Sequence, residues 1–179
     1  MPSITPSLWF DHNLEEAATF YTSVFPNSRI ESFNRCTDAG PGEPGSVLSG
    51  TFVLDGTQFI GINGGPQFPF SEAVSFTISC KDQDEVDYYW DRLTDGGEES
   101  QCGWCKDRFG VSWQVVPDRL YELVSNPDPA QATAATQAMY GMRKIVIADL
   151  SRGGGSSSVR RIHSVIRPTA LAISSLMRR

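Results

Sequence analysis

The sequence predicts an α+β fold built from two copies of one strand–helix–strand unit, and three observations carry that expectation. Ala17, Phe20, Tyr21 and Val24 fall at i, i+3, i+4 and i+7, which is one face of a helix. Val86, Tyr89, Trp90 and Leu93 repeat the spacing 69 residues later with matching bulk, and Glu16 is answered by Glu85. Each helix follows a short strand-like run, Ser7 to Phe10 and Phe76 to Ser79, and precedes hairpin-like segments rather than single crossover strands. A pattern stated twice suggests one half-site built twice, with a ligand between the halves.

In chain order, Asn13 is positioned to cap the first helix, with Glu15 and Glu16 in the turn where the helix dipole favours acids. Phe25-Pro26-Asn27 ends it, because proline cannot extend the hydrogen-bond ladder. Arg29 to Cys36 reads as a strand, and residues 37–45 form a long Gly/Pro-rich loop. Val47 to Leu54 and Gln58 to Ile62 flank Asp55-Gly56, a two-residue hairpin signal. After Gly64-Gly65-Pro66, a strand over Val74 to Cys80 leads into a helix over Gln83 to Thr94, broken at Asp95-Gly96-Gly97. Two strands are then expected, near Glu98 to Trp104 and Val111 to Val116. Beyond Pro117 the pattern turns helical, with Asp118 to Val124 and a longer helix opened by Asp128-Pro129. The expected organisation is one domain over residues 1–150: modules at about 4–63 and 74–117, then helices over 118–150. Residues 151–179, with Gly153 to Ser158 as linker, form an expected flexible basic tail.

Composition narrows the function classes. With 179 residues and 40% hydrophobic content, the chain can bury a full core. No run approaches the roughly 18 apolar residues of a membrane span, and the N-terminus does not read as a secretory signal. Four scattered cysteines make no disulfide scaffold, so a reducing, cytoplasmic setting is expected. The net charge of -6 divides into +6 on residues 151–179 and -12 on the rest, and an acidic body argues against a nucleic-acid surface on the fold.

The segment Gln101-Cys102-Gly103-Trp104-Cys105-Lys106-Asp107-Arg108-Phe109-Gly110-Val111-Ser112-Trp113-Gln114-Val115-Val116-Pro117 resembles the signature of the PhnB-like branch of the glyoxalase/bleomycin-resistance (vicinal oxygen chelate) superfamily. So do Ile4 through Asp11, Tyr21 through Ser28, and Asn63-Gly64-Gly65-Pro66, and the similarity spans about residues 4–148. The resemblance implies paired βαβββ modules, a curved mixed sheet around a ligand cavity, helices outside, and a homodimer. Members of this branch often carry the label 3-demethylubiquinone-9 3-methyltransferase.

Side chains alternate across a strand, so one parity of each strand should face the cavity. Putting Leu8, Phe10, Phe76, Ile78, Trp113 and Val115 toward the helices leaves Ser7, Trp9, Ser75, Thr77, Ser112 and Gln114 as candidate ligand-binding residues. Putting Ile60 and Ile62 outward adds Asn63, with Gly61 beside it and Phe59 as a second aromatic wall next to Trp9. The superfamily's metal positions map by motif onto Thr5, Gly61, Ser75 and Gln114, of which Gln114 alone could ligate an ion. The expectation is therefore a small polar ligand bound without metal or cofactor, with a metal-independent enzyme or the labelled methyltransferase as alternatives. No glycine-rich turn follows the first strand, where an S-adenosylmethionine site of the common kind would need one. Cys102 and Cys105 form a C-x-x-C in a strand or hairpin, where i and i+3 point to opposite faces, so packing is the expected role.

Overall fold

The structure, a computed structural model, describes residues 4–40 and 42–151. The expected basic tail lies outside the described residues, apart from Ser151 at its start. The first module runs β1 (Ser7–Phe10), α1 (Leu14–Val24), β2 (Arg29–Arg35), β3 (Val47–Leu54) and β4 (Thr57–Asn63). The second runs β5 (Ser75–Cys80), α2 (Gln83–Thr94), β6 (Glu98–Glu99), β7 (Trp104–Lys106) and β8 (Ser112–Pro117). Three helices follow: α3 (Asp118–Val124), α4 (Pro129–Tyr140) and α5 (Ile147–Leu150).

Each module forms its own four-stranded mixed sheet, in orders β1-β4-β3-β2 and β5-β8-β7-β6. In both, the strand before the helix pairs parallel with the last strand of its module, and the remaining pairings are antiparallel. The repeat seen in the sequence is therefore a repeat of topology. Asp55 and Gly56 both take positive φ, 42° and 78°, as the tight turn joining β3 and β4 requires.

The segment Glu98 to Trp104 departs from the expected single strand. A turn with Cys102 and Gly103 at positive φ divides it into β6 and β7. Gly103 is held there by a bond from its N–H to the Arg143 carbonyl, while its own carbonyl accepts from Val115 N–H. The C-x-x-C consequently straddles two clusters. Cys105 belongs to the main core, and Cys102 packs with Val116, Leu120, Met139, Ile145 and Leu150 beneath the C-terminal helices.

The main core lies between the helix-covered faces of the two sheets. Leu14, Ala17, Ala18, Tyr21 and Val24 of α1 share one buried cluster with Val86, Trp90 and Leu93 of α2. Rings cross between the modules: Phe59 meets Phe76 at 5.2 Å, and Trp113 meets Phe25 at 5.1 Å and Tyr21 at 5.7 Å between centroids. Because the helix faces meet there, the opposite faces of the two sheets point away from each other.

Candidate functional site

On the second sheet the polar parity is continuous. Ser75 stands opposite Ser112 and Thr77 opposite Gln114 across the parallel β5–β8 pair, and Gln114 is opposite Trp104 on the other side. Phe76, Ile78, Trp113 and Val115 occupy the alternate positions and feed the main core. Gln114 Nε2 donates to Ser75 Oγ at 2.8 Å, which fixes the amide and leaves its carbonyl oxygen as the acceptor on that face. Thr77 is exposed beside it, while Ser112 and Gln114 are buried. The structure thus brings four of the candidates onto one face.

On the first sheet the reading of β1 and the reading of β4 part company. Ser7 and Trp9 occupy the outer face, opposite Ile60 and Ile62. Trp9 is pinned by its Nε1 donating to the Gly65 carbonyl at 2.8 Å and by an edge contact with Phe68 at 5.0 Å. A Cβ on Gly64 would fall 1.9 Å from the Trp9 ring, so the glycine is what allows the indole to lie against this turn.

Phe59, Gly61 and Asn63 belong to the helix face, contrary to the expected parity. Phe59 stacks on Phe52 in the core, and a Cβ on Gly61 would lie 2.1 Å from Leu14 Cδ1. Asn63 Oδ1 accepts from Leu14 N–H at 3.0 Å, and its Nδ2 donates to the Val47 carbonyl at 2.9 Å. Asn63 is therefore the cap of α1, reaching it from β4, and both ends of its amide are committed. Asn13 makes no side-chain cap bond, so the sequence-adjacent candidate is replaced by a residue 49 positions away. The cause is register: β4 pairs parallel with β1, which sets Asn63 beside Phe10 at the mouth of the β1–α1 turn.

Sequence reading passed over Asp107. It is 3% exposed, and its carboxylate accepts from Tyr21 Oη at 2.7 Å, Trp113 Nε1 at 2.7 Å, Phe109 N–H at 2.9 Å and Val111 N–H at 3.0 Å. Burial pushes the carboxyl above its ordinary range, and the four donors oppose that push. Tyr21 is raised well above the usual phenol value by burial first and the Asp107 charge second, so it stays a neutral donor. The bond joins the modules across the core. A signal existed: Asp two residues before Phe109, with Gly110 next, is the spacing of an Asx turn.

None of the candidate residues lines the larger groove, about 520 Å³ between the end of α1 and the start of α2. Asp82 there caps Glu85 N–H and Glu85 pairs with Lys81 at 2.8 Å, so these acids organise the helix start. A smaller cavity of about 110 Å³ is lined by Ser112, Trp104 and Lys106 of the second sheet, together with Glu72, Glu98 and Glu99.

This geometry can be set beside known proteins. The family model described as 3-demethylubiquinone-9 3-methyltransferase matches residues 2–116. The chain belongs to that family. A solved PhnB protein of Bacillus cereus, described under the same methyltransferase name, is 34% identical, with 65% of this chain and 99% of that one covered and a TM-score of 0.61. Protein PA1353 of Pseudomonas aeruginosa is similar at 21% identity, covering 65% and 98%, with a TM-score of 0.55. The fosfomycin resistance protein FosX of Listeria monocytogenes matches at 16% identity, covering 68% and 94%, with a TM-score of 0.50. The last two bear on the fold alone. No curated protein matches the chain. The architecture is the glyoxalase/bleomycin-resistance fold, present as two mixed sheets without a closed barrel.

The family's name speaks of methyl transfer, and the residues after β1 do not fit an S-adenosylmethionine site of the common kind. The turn after β1 is Asp11-His12-Asn13, in a mixed four-stranded sheet, without the glycine-rich turn after the first strand of a parallel sheet that such sites use. The superfamily's metal positions fit poorly as well. Gly61 faces Leu14, and Thr5, Ser75 and Gln114 supply no imidazole or carboxylate. Among the described residues, no group of three His, Cys, Asp or Glu side chains is placed to hold a metal ion. Cys102 and Cys105 are buried and free, and burial raises both thiols, Cys105 to about 12. Thiolate chemistry at neutral pH is thereby disfavoured.

Proposed function

We propose that this family member binds a small polar molecule, without metal, in a cleft that a second copy of the chain completes. The observation that carries the reading is the polar row of the second sheet. Ser75, Thr77 and Gln114 stand on a face turned away from the core, with the Gln114 amide already oriented by Ser75. A preset amide and two hydroxyls recognise ligand hydrogen-bonding groups at low ordering cost. Ser7 and Trp9 form the corresponding surface of the first sheet. Since the helix faces of one chain meet each other, its two polar faces cannot enclose a ligand between them, and a second copy supplies the missing wall.

Exposed apolar residues around these faces support pairing. Ile4, Phe68 and Val74 are 101%, 65% and 66% exposed, Ile4 and Val74 just before β1 and β5 and Phe68 against Trp9. A homodimer would also cover open sheet edges. Neither a nucleic acid nor a membrane enters this reading: the body is acidic, and no helix among the described residues is long and apolar enough to cross a membrane. We place the protein in the cytoplasm on its four unpaired cysteines. Of the residues that a metal-independent enzyme could have used, Asn63 is committed to α1 and Cys102 is buried, which favours binding over catalysis.

Native mass spectrometry of freshly purified protein tests both parts. A dimer carrying a small-molecule adduct, with the adduct lost in Gln114→Ala, is the expected result. A monomer without an adduct would refute the reading.

A further inference from the structure

We infer that the second sheet carries a subsite for a protonated amine, in the cavity between β6, β7 and β8. The inference rests on the reading that the outer face of this sheet is the binding face, and it names the ligand chemistry at one end of it. The cavity holds about 110 Å³, roughly three to four times the ~30 Å³ share of a liquid water. That is space for an ammonium group and its first carbons.

Its lining is unbalanced in charge, with three carboxylates, Glu72, Glu98 and Glu99, against one amine, Lys106. Glu72 holds Lys106 Nζ at 2.6 Å, and Glu99 takes Trp90 Nε1 at 3.2 Å and Arg143 at 3.5 Å. The exposed Glu98 carboxylate has no hydrogen bond or ion pair to any other described residue, although its backbone pairs with Lys106 in the ladder, so one negative charge is left to a ligand. A second observation points the same way. Ser112 is 1% exposed, and its Oγ has no hydrogen-bond partner among the described residues, although it lines this cavity. A buried hydroxyl without a partner is costly, and its oxygen can accept from an N–H. The Trp104 ring lines the same space and favours a cation over an anion. An anionic ligand would have to draw Lys106 off Glu72 and would then face Glu98. The three glutamates are not grouped closely enough to hold a metal ion, which leaves an organic cation as the fitting guest.

The test is NMR of the isotope-labelled full chain at neutral pH, following the Trp104 indole N–H after its assignment with Trp104→Phe. Ethylammonium is titrated against ethanol and acetate at constant ionic strength. The indole signal should move with ethylammonium, with a Kd on the order of 1–10 mM, and should not move with ethanol or acetate. Glu98→Gln and Ser112→Ala should each weaken the response by roughly tenfold, or about 1.4 kcal/mol. Ser112→Ala should leave Tm unchanged or raise it, because the hydroxyl it removes has no partner in the fold. A response to acetate, an equal response to ethanol, no response at all, or unimpaired binding by both variants would overturn the subsite. So would a fall of several degrees in the Tm of Ser112→Ala. A monomer in native mass spectrometry would sink the shared cleft and leave this titration unaffected, since one chain builds the whole cavity.

Discussion

Removing the Tyr21 hydroxyl should cost the fold about 2 kcal/mol, the middle of the ~1.5–3 kcal/mol range for a hydrogen bond to a charged group. The hydroxyl donates to Asp107 Oδ2 at 2.7 Å across 86 residues, and both side chains are buried. Tyr21→Phe keeps the ring and its contacts with Phe52, Phe109 and Trp113, so packing changes little. Three donors stay on the carboxylate. Asp107→Asn is a different perturbation, because a carboxamide has one acceptor oxygen. If that oxygen keeps the Phe109 and Val111 N–H groups, the new NH2 meets the Trp113 indole N–H, donor against donor. The Tyr21 hydroxyl can rotate to accept, and the indole cannot. Its cost should therefore exceed that of Tyr21→Phe, at roughly 3–4 kcal/mol. Urea unfolding and thermal melting read both, with a shift of ~4–8 °C for the Tyr21 variant. The double variant should lose less than the sum of the singles. A pH signature accompanies this. The folded chain keeps a Tyr21 proton that the unfolded chain gives up near pH ~10. The stabilisation is therefore complete below that pH and lost as pH rises above it. Tyr21→Phe should flatten that alkaline limb. A loss under ~0.5 kcal/mol for Tyr21→Phe, with additive singles, would refute the bridging role of this bond.

Asn63→Ala should cost roughly 1–2 kcal/mol by uncapping Leu14 N–H and freeing the Val47 carbonyl, read as a lower urea midpoint with an unchanged m-value. Gly61→Ala should destabilise by about 1–3 kcal/mol, because Leu14 is fully buried and its methyls have no room to retreat; Gly56→Ala, with open space at its Cβ but positive φ, is the control for backbone strain alone. Alkylation by iodoacetamide at neutral pH should leave Cys80 and Cys105 unmodified until the protein is unfolded, since burial raises both thiols to about 12; mass spectrometry of modified peptides reads this, and rapid labelling of folded Cys105 would contradict it.

The sequence by itself determined the repeat of the strand–helix unit and the buried faces of its two helices. The i, i+3, i+4, i+7 faces of α1 and α2 depend on helix geometry alone, and Tyr21, Val24, Val86, Trp90 and Leu93 are buried in the structure. The turn Asp55-Gly56 and the stop at Phe25-Pro26 are equally local, and both stand where the residues put them. The faces of β5 and the start of β8 were legible because apolar and polar side chains alternate along them, and β1 because Leu8 and Phe10 share the parity that meets α1. On β4 that rule failed. Ile60 and Ile62 are apolar, yet the helix-facing parity belongs to Phe59, Gly61 and Asn63, because Leu14 fills the space above Gly61 and Asn63 caps α1. Which parity is covered depends on what packs over the strand, and this is not written in the strand. The same holds for the network around Asp107, whose partners lie on α1 and β8 as well as in its own turn. Above all, tertiary structure decided that the two helix faces share one core and turn the polar faces of the sheets apart. A repeat can announce two half-sites, but their mutual orientation is set by contacts such as Phe59 on Phe76 and Tyr21 on Trp113, between residues far apart in the chain.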